Sequence, residues 1–420
     1  MRQRWLLFEQ VVDRIAVRFR RVEPRQTMRA FVAALLSATE RKNCWWLAEQ
    51  AGHRSPRRMQ RLLGEVVWDA ELVRDDVRAF VADQLDHPDA VLICDETGFV
   101  KKGRCSAGVQ RQYSGTAGRI ENSQVAVFLS YASPRGRALV DRRLYVPRSW
   151  IEDPRRCAGA GIPAEVSFAT KPQLAWQMIA AALAAGISVG FVTGDECYGR
   201  DPMLRAQLRH HRVGYVLAVA RNQYTTLSPG LRERVDATCA QLSSIAWQRY
   251  RCGTGSKGIR FYDWALVHID TDDHDGGVHS LLIRRNRAGE LAFYLCWTPT
   301  AVPLSALVGA AGTRWAVEEA FQTAKGQVGL DHYQCRTWTA WHRFTVLAMA
   351  ALAILVAITT GQPPPTAGLI AMTIPETRRL LIATDDRAIA WSLWRRRHQA
   401  TAGASHTKHR MIIESEHVTR

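Results

Sequence analysis

The sequence contains no pair of cysteines at the spacing of a zinc site, although nine cysteines occur among its 420 residues. Their odd number also argues against a closed set of disulfides, which stabilises many small secreted proteins. No apolar segment of signal-peptide length precedes Arg14, so secretion is not expected. Together these absences predict a protein of the reducing cytoplasm.

Long apolar runs are missing as well. The longest extends from Val346 to Ile358, whereas a membrane-spanning helix needs about 20 predominantly apolar residues. We therefore predict that this run forms a helix buried in the core and that the protein has no membrane partner.

Acidic residues are scarce relative to basic ones. The chain has 39 Asp and Glu against 56 Lys and Arg, a formal net charge of +17 at pH 7. Such an imbalance attracts polyanions, most commonly nucleic acid. A protein that simply carries many arginines on its surface has the same composition, so charge alone leaves both interpretations open.

Changes in periodicity divide the chain into five segments. Apolar residues at helical spacing predict helices before residue 88, and the strands and helices that follow are typical of an α/β sheet. Short alternating stretches then predict a β-rich insertion before the chain returns to helices. The predicted segments are an N-terminal helical DNA-binding domain over 1–88, the first part of the α/β core over 89–221, the insertion over 222–302, the last part of the core over 303–362, and a C-terminal helical segment with a basic tail over 363–420.

Two acidic residues follow apolar segments that read as buried strands. Asp95 comes directly after the strand that ends at Cys94, where the strand is expected to stop, and Asp195 follows the strand that ends at Gly194. Functional side chains in open α/β sheets gather at the carboxyl ends of strands. The two carboxylates meet at one edge if the strands are neighbours, although a single Asp at a strand end is more commonly a helix cap or a turn former.

A third candidate carboxylate lies on a predicted helix. Arg314, Glu318 and Lys325 follow one another at steps of four and seven residues, which places them along one flank of a helix. An ion pair between Arg314 and Glu318 on an exposed helix is the alternative interpretation of this spacing.

The three sites together resemble one family of enzymes. The spacing of Arg314, Glu318 and Lys325 resembles the signature around the catalytic glutamate of bacterial insertion-sequence DDE transposases, the cut-and-paste type with an RNase H-like catalytic core. The segments that begin at Asp95 and Gly194 are similar to the regions of that family's two catalytic aspartates. Two N-terminal segments, Arg41–Asn43 and Trp45–Glu49, resemble the N-terminal region of the family. The resemblance therefore covers nearly the whole chain.

Three positions depart from the pattern of that family. A Tyr normally stands three positions before the Arg of the signature, and this chain has Ala311 there. An Asp commonly follows the first catalytic Asp and a Pro commonly precedes the lysines, and here these residues are Glu96 and Val100. None of the three changes removes a carboxylate of the expected triad.

The resemblance implies both a fold and a chemistry. The fold is α/β, an RNase H-like mixed sheet flanked by helices, with an N-terminal helical domain and a β-rich insertion before the last catalytic helix. Asp95, Asp195 and Glu318 are then catalytic residues and ligands of two Mg²⁺ ions per active site, with Mn²⁺ as a substitute. The implied activity is cleavage and strand transfer at the ends of an insertion sequence, by a homodimer on double-stranded DNA. The family also implies a hairpin intermediate, a step that Ala311 leaves open.

Basic and aromatic residues complete the predicted site. In the insertion, Trp247, Trp264 and Trp297 are candidates for stacking on an unpaired base, with core packing as the alternative. The basic residues could equally belong to solvated loops and helix faces. Those expected to contact DNA are Arg314 and Lys325 beside the metals, Lys101, Lys102, Arg104 and Arg111 after the first aspartate, and Arg54, Arg57, Arg58 and Arg61 in the N-terminal domain.

Two other functions remain open from the sequence. One is a catalytically silent DNA-binding protein descended from a transposase, against which the complete set of three carboxylates argues. The other is a nuclease that cuts DNA without strand transfer. The products formed from DNA distinguish these cases.

Overall fold

The computed structural model describes residues 2–255, 258–270, 276–382 and 386–418. Helices form its N-terminal part, and capping side chains set where two of them begin. Asn43 accepts hydrogen bonds from the backbone N–H groups of Trp45 and Trp46, and Asp69 caps a later helix in the same way. Such caps satisfy donors that have no partner inside the helix. The helices are α1 (Arg2–Ala16), α2 (Val22–Leu36), α3 (Cys44–Gln50), α4 (Arg57–Gly64) and α5 (Ala70–Leu85).

A mixed sheet follows these helices. Its strands are β1 (Val91–Val100), β2 (Gln110–Ser114), β3 (Arg119–Ser133), β4 (Gly136–Leu144), β5 (Phe191–Gly194) and β6 (Gly214–Val219). Five of them lie in the order β4-β3-β1-β5-β6, with β3 antiparallel to both of its neighbours and β1, β5 and β6 parallel to one another. This order is that of an RNase H-like sheet, so the predicted fold class is confirmed.

The first strand is longer than the sequence predicted. We expected it to stop at Asp95, but β1 continues to Val100, which pairs with Ser123 on β3. On its other side β1 pairs with β5 only as far as Cys94 and Gly194. The prediction was wrong because the β3 ladder extends past the point at which the β5 ladder ends.

Short helices join the strands of the second half of the sheet. The longest, α8, begins with a capping box in which the side chains of Thr170 and Gln173 each bond to the other's backbone N–H; this arrangement satisfies two helix donors at once. The helices are α6 (Arg148–Ile151), α7 (Pro154–Gly159), α8 (Lys171–Ala184), α9 (Glu196–Gly199) and α10 (Pro202–His210).

The predicted insertion consists mainly of strands, and it extends the core sheet. Its elements are β7 (Tyr224–Ser228), β8 (Leu231–Arg234), α11 (Val235–Ala240), β9 (Gln248–Gly255), β10 (Gly258–Ile269), β11 (Val278–Arg285) and β12 (Leu291–Thr298). β12 pairs antiparallel with β6, so that β9 to β12 join the core strands in a 10-stranded sheet. A second, smaller apolar cluster packs on this added part.

Helices complete the fold, and one of them is almost entirely buried. They are α12 (Leu304–Thr313), α13 (Trp315–Val328), α14 (Trp338–Thr360), α15 (Ile374–Ile382) and α16 (Asp386–Val418). By length and composition α14 is apolar enough to cross a membrane, but 89% of its apolar window is buried inside the protein. The prediction of a core helix over Val346 to Ile358 is therefore confirmed.

The N-terminal helices pack on α14 and share one apolar core with the sheet. Phe31 of α2 meets Phe344 of α14 edge to face, with ring centroids 6.0 Å apart. The division of the chain into separate domains, including one over 1–88, stays a prediction.

Candidate active site

The ends of β1 and β5 place two aspartates on neighbouring strands. The last residue pair between these parallel strands is Cys94 with Gly194, and Asp95 and Asp195 come directly after it. Asp195 also caps α9, because its Oδ1 accepts a hydrogen bond of 2.9 Å from the backbone N–H of Cys197. The cap role that the sequence left open and the meeting of the two carboxylates at one edge therefore both occur.

The electrostatic environment of these aspartates disfavours two negative charges. Burial, together with the charges of Asp195 and Glu96, raises the pKa of Asp95 to about 7. Burial and the charge of Glu96 raise the pKa of Asp195 as well, while the guanidinium of Arg314 opposes both shifts. Carboxylates that are desolvated beside other carboxylates are stabilised by a cation. The donor set is therefore of the kind that suits a hard divalent metal ion.

Glu318 lies on α13, the helix beside this edge. The guanidinium of Arg314 donates to Glu318 Oε1 at 3.1 Å, and the Glu318 side chain is 50% exposed. Lys325, on the same flank, donates from Nζ to Thr97 Oγ1 at 2.7 Å. Since Thr97 lies two residues after Asp95 on β1, Lys325 fastens α13 to the strand that carries the first aspartate.

The three predicted carboxylates are only partly assembled. Within the described ranges, no group of three His, Cys, Asp or Glu side chains is close enough to hold a metal ion. Asp95 and Asp195 share one edge, and Arg314 acts on both of them electrostatically. Glu318 is bonded to that same Arg314. The fold thus brings Asp95 and Asp195 together. Glu318, on α13, is connected to them through Arg314.

Sequence reasoning missed a hydrogen-bonded group beside the aspartates. Glu96 Oε1 accepts a hydrogen bond of 2.5 Å from Lys171 Nζ, and Glu96 Oε2 accepts one of 2.7 Å from the hydroxyl of Tyr198. Tyr198 is completely buried. Its position three residues after Asp195, inside the segment that resembles the family's second-aspartate region, was a signal for it, but no pattern in the sequence singled out Lys171.

The basic segment after the first aspartate divides into packed and exposed residues. Lys101 Nζ lies 3.5 Å from the centroid of the Tyr333 ring, and burial lowers the pKa of Lys101 to about 8. Lys102, Arg104 and Arg111 are exposed. A DNA contact by Lys101 would require that it leave the ring of Tyr333, whereas the other three are available as they stand.

The four N-terminal arginines predicted to contact DNA are exposed. Arg54 precedes α4, and Arg57, Arg58 and Arg61 lie on it. Arg61 pairs with Glu65 at 2.9 Å, an exposed i,i+4 pair of small energetic value. Contact of these arginines with DNA stays a prediction.

The structure contradicts two of the three predicted stacking residues. Trp264 and Trp297 have no exposed surface, because they fill the apolar core between the sheet and its helices, so the core-packing alternative holds for both. Trp247 is half-buried beneath the guanidinium of Arg285, 4.0 Å from its ring centroid. Trp315, the residue after Arg314, is half-buried and stacks on Tyr262, with ring centroids 6.2 Å apart.

Comparisons with known proteins show similarity over large parts of the chain. Residues 15–229 match the family described as DDE superfamily endonuclease, and residues 170–354 match the family described as Transposase DDE domain. A probable transposase for insertion sequence element IS701 from Microchaete diplosiphon is 26% identical over 218 residues, covering 51% of this chain and 52% of that protein. The chain thus matches about half the length of this relative.

A solved structure is similar only at a distance. The NurA nuclease from Sulfolobus solfataricus has a TM-score of 0.25 and 10% identity, over 57% of this chain and 78% of that one, and this likeness is too weak to bear on the fold. The first family match covers slightly more than half of the 420 residues and includes both aspartates. The chain is similar over shorter stretches to transposases, and it belongs to the DDE superfamily of endonucleases.

Proposed function

We propose that this protein binds the ends of its insertion sequence and catalyses DNA cleavage and strand transfer at the edge formed by Asp95, Asp195 and the Glu318 face of α13. The observation that carries the proposal is the pair of half-buried aspartates at the ends of neighbouring parallel strands, of which Asp95 has a pKa raised to about 7. Carboxylates with strongly shifted pKa values cluster at functional sites, because catalytic groups need pKa values matched to their reaction.

The residues that would hold metal are Asp95, Asp195 and Glu318. Mg²⁺ prefers carboxylate oxygens and keeps several of its waters, and Mn²⁺ accepts the same ligands. Two such ions supply activation of the attacking oxygen and stabilisation of the leaving oxygen of a phosphodiester. The family generally uses divalent metals, and the assignment of two ions to these three side chains is part of the proposal.

Glu318 and Arg314 exchange partners in this scheme. Their ion pair is partly exposed, and exposed pairs of this kind contribute only about 0 to 1 kcal/mol. The carboxylate of Glu318 can therefore turn toward Asp95 and Asp195 at little cost. Arg314 is then left to bind a DNA phosphate beside the reacting bond, as its bidentate geometry favours.

Other basic residues bind the backbone of the substrate in this proposal. Lys325 remains fastened to β1 and presents positive charge next to the edge. Lys102, Arg104 and Arg111 contact phosphates on one side, and the arginines on and before α4 contact the DNA end, because phosphate contacts position a protein without reading sequence.

After the first cut, the freed 3′ hydroxyl becomes the nucleophile of the next step. The family's hairpin intermediate is not part of the proposal, because Ala311, in the position of the usual Tyr, is buried on α12 and carries no hydroxyl. Coordinated cutting of two ends needs two active sites, so we propose a homodimer on DNA, within the bacterial cytoplasm and nucleoid.

A cleavage assay tests the proposal. Purified protein is incubated with Mg²⁺ and a labelled duplex that carries the DNA ends flanking its gene, beside the variant Glu318→Gln. The matched control is Glu319→Gln, which removes the neighbouring carboxylate on the same helix, one that pairs with Arg137 instead. We expect cut and joined products from the wild type and from Glu319→Gln, and neither from Glu318→Gln.

Each other pattern of products identifies a different function. Cut DNA that is never joined indicates a nuclease without strand transfer. Binding of the ends without cleavage, in Mg²⁺ and in Mn²⁺, indicates a catalytically silent DNA-binding protein.

A further inference from the structure

Both oxygens of Glu96 are already engaged by the protein. One accepts from the ammonium of Lys171 at 2.5 Å and the other from the hydroxyl of Tyr198 at 2.7 Å. Glu96 follows Asp95 directly and stands where related transposases commonly have Asp, so its carboxylate is the obvious rival to Asp95 as a metal ligand. A carboxylate with a charge-assisted donor on each oxygen gives up strong hydrogen bonds to bind a metal.

We propose that Glu96, Lys171 and Tyr198 form a strut that sets the position of Asp195 relative to Asp95, and that Glu96 is not a metal ligand. The inference rests on the proposed function, because it assigns the two aspartates to the metal site. Lys171 and Tyr198 are thereby positioning residues, which act through the backbone segments that carry the carboxylates.

Three elements meet at the strut. Glu96 is on β1, Lys171 is the first residue of α8, and Tyr198 is on α9, the helix that Asp195 caps. Since Asp195 and Tyr198 belong to the same single turn of helix, the bond from Tyr198 to Glu96 fixes the distance of that turn from β1. The two aspartates are therefore linked through protein as well as through any metal they share.

The turn itself has little freedom to move. A Cβ atom on Gly199 would lie 1.8 Å from the carbonyl oxygen of Ala218 on β6, so α9 packs directly against that strand. A Cβ atom on Gly194 would lie 3.1 Å from Cβ of Tyr198. Glycine at both positions lets α9 seat between β5 and β6, and the Tyr198 hydroxyl then reaches β1.

Side-chain length explains why Glu serves here. The carboxylate of Glu96 must reach donors on two different helices, while Asp95, one residue earlier, stays beside Asp195 at the proposed metal site. Asp is one methylene shorter than Glu, so Glu96→Asp cannot hold Lys171 and Tyr198 together in the same backbone position. The ammonium of Lys171 also offsets part of the negative charge that Glu96 adds beside the two aspartates.

Direct titration of Mn²⁺ into the protein, followed by isothermal calorimetry, separates a strut from a metal ligand. Removing a ligand changes how many ions bind, whereas loosening a partner of the ligands typically weakens affinity or activity about 10- to 100-fold. We expect Glu96→Gln and Tyr198→Phe to bind as many Mn²⁺ ions as the wild type, and Asp95→Asn to bind fewer. Loss of an ion in Glu96→Gln overturns the proposal.

Cleavage rates then test whether the strut acts as one unit. We expect Tyr198→Phe and Glu96→Gln each to slow cleavage about 10- to 100-fold with DNA affinity within about twofold. The double variant should be no slower than the slower single one, because both changes break the same link. Multiplied losses in the double variant contradict the strut, as does an unchanged rate in Tyr198→Phe.

Tyr131→Phe is the matched control, since Tyr131 is also buried and its hydroxyl accepts one hydrogen bond, from the backbone N–H of His87 at 3.3 Å. We expect its cleavage rate to stay within about threefold of the wild type. Thermal unfolding confirms that each variant is folded. A wild type that neither binds Mn²⁺ nor cuts DNA refutes the proposed function and the strut together, whereas an active wild type with an unaffected Tyr198→Phe refutes the strut alone.

Discussion

Two clusters of buried and half-buried carboxylates in this protein have opposite electrostatic environments. Where α5 meets β4, Asp141 is completely buried and accepts hydrogen bonds of 2.7 and 2.8 Å from the guanidinium of Arg74. Glu71 pairs there with Arg74, Arg142 and Arg143. Burial alone would raise the pKa of Glu71, but the charges of these three arginines lower it to about 2. In this α5–β4 charge cluster the acids are fully compensated.

At the edge of the sheet the negative charges of the acids are compensated only in part. Asp95 and Asp195 have the charge of Glu96 beside them and Arg314 as an opposing cation, and burial raises the pKa of both. Arginines pair directly with the acids of the α5–β4 charge cluster, whereas at the proposed site Arg314 pairs with Glu318 and only moderates the raised pKa values of the two aspartates. The difference in nearby positive charge is consistent with the proposed catalytic role of Asp95 and Asp195.

The largest expected effect separates the two roles of Asp195. Asp195→Asn keeps the cap of α9 but removes a proposed metal ligand, so cleavage should fall about 1,000-fold or more. Asp201→Asn is the matched control, because Asp201 caps the next helix, α10, by accepting from Leu204 at 2.8 Å. We expect that control to cleave within about threefold of the wild type in a single-turnover assay. Equal losses in the two variants would make Asp195 a cap and nothing more.

Breaking the compensated cluster should cost stability instead of chemistry. Asp141→Asn leaves Arg74 and Arg78 without their buried counter-charge, and loss of one partner from a buried ion pair destabilises a protein by about 3 to 5 kcal/mol. Urea unfolding measures the change. Asp83→Asn removes an exposed pair with Arg14 and should cost less than about 1 kcal/mol. Similar values for the two variants would remove the distinction between compensated and surface acids.

Acid should weaken the compensated cluster. Burial, followed by the charge of Arg142, lowers the pKa of His342 to about 3 from 6.5. A group whose pKa is depressed in the folded state contributes stability that is lost as pH falls below its unfolded pKa, here between 6.5 and 3. Between pH 6.5 and pH 5 the free energy of unfolding of the wild type should fall by about 2 kcal/mol more than that of His342→Gln. Parallel unfolding curves for the two proteins would show that His342 is not buried in its neutral form. The pKa of about 2 for Glu71 adds a second loss below pH 4.5.

The smallest expected effect concerns positive charge outside both clusters. Lys102→Ala and Arg104→Ala should each reduce the slope of log affinity against log salt by about one, because each exposed cation releases a counterion from bound DNA. Lys101→Ala should leave the slope unchanged, since Lys101 is packed on the ring of Tyr333. A slope reduced equally by all three variants would show that Lys101 leaves the ring to bind DNA.

Local patterns in the sequence predicted the edge of the sheet. Runs of apolar residues located β1 and β5, and the rule that functional groups follow strands singled out Asp95 and Asp195. The spacing of Arg314, Glu318 and Lys325 placed the third element on one helix flank. These features were predictable because each is written within a few consecutive residues.

Long-range contacts were not predictable in this way. Glu96 is 75 residues from Lys171 and 102 residues from Tyr198 along the chain, and no local pattern links them. The pairing of β12 with β6, which joins the insertion to the core sheet, could not be predicted for the same reason. The prediction that Trp264 and Trp297 stack on bases was wrong because aromatic rings occur both in cores and at interfaces. Only the burial of the two rings, which the sequence does not give, distinguishes the two roles.

One variant, measured twice, tests this account most directly. Asp95 has a folded-state pKa of about 7, above its ordinary 3.8, so its contribution to stability is present below pH 3.8 and lost as pH rises through 7. At pH 8 the ionised carboxylate therefore costs roughly 2 to 4 kcal/mol without metal.

We predict that Asp95→Asn, unfolded by urea in EDTA at pH 8, is more stable than the wild type by roughly 2 kcal/mol. The same preparation should have lost metal-dependent cleavage. A variant that is less stable than the wild type, or that still cuts DNA in Mg²⁺, would contradict the view that this edge gives up stability for catalysis.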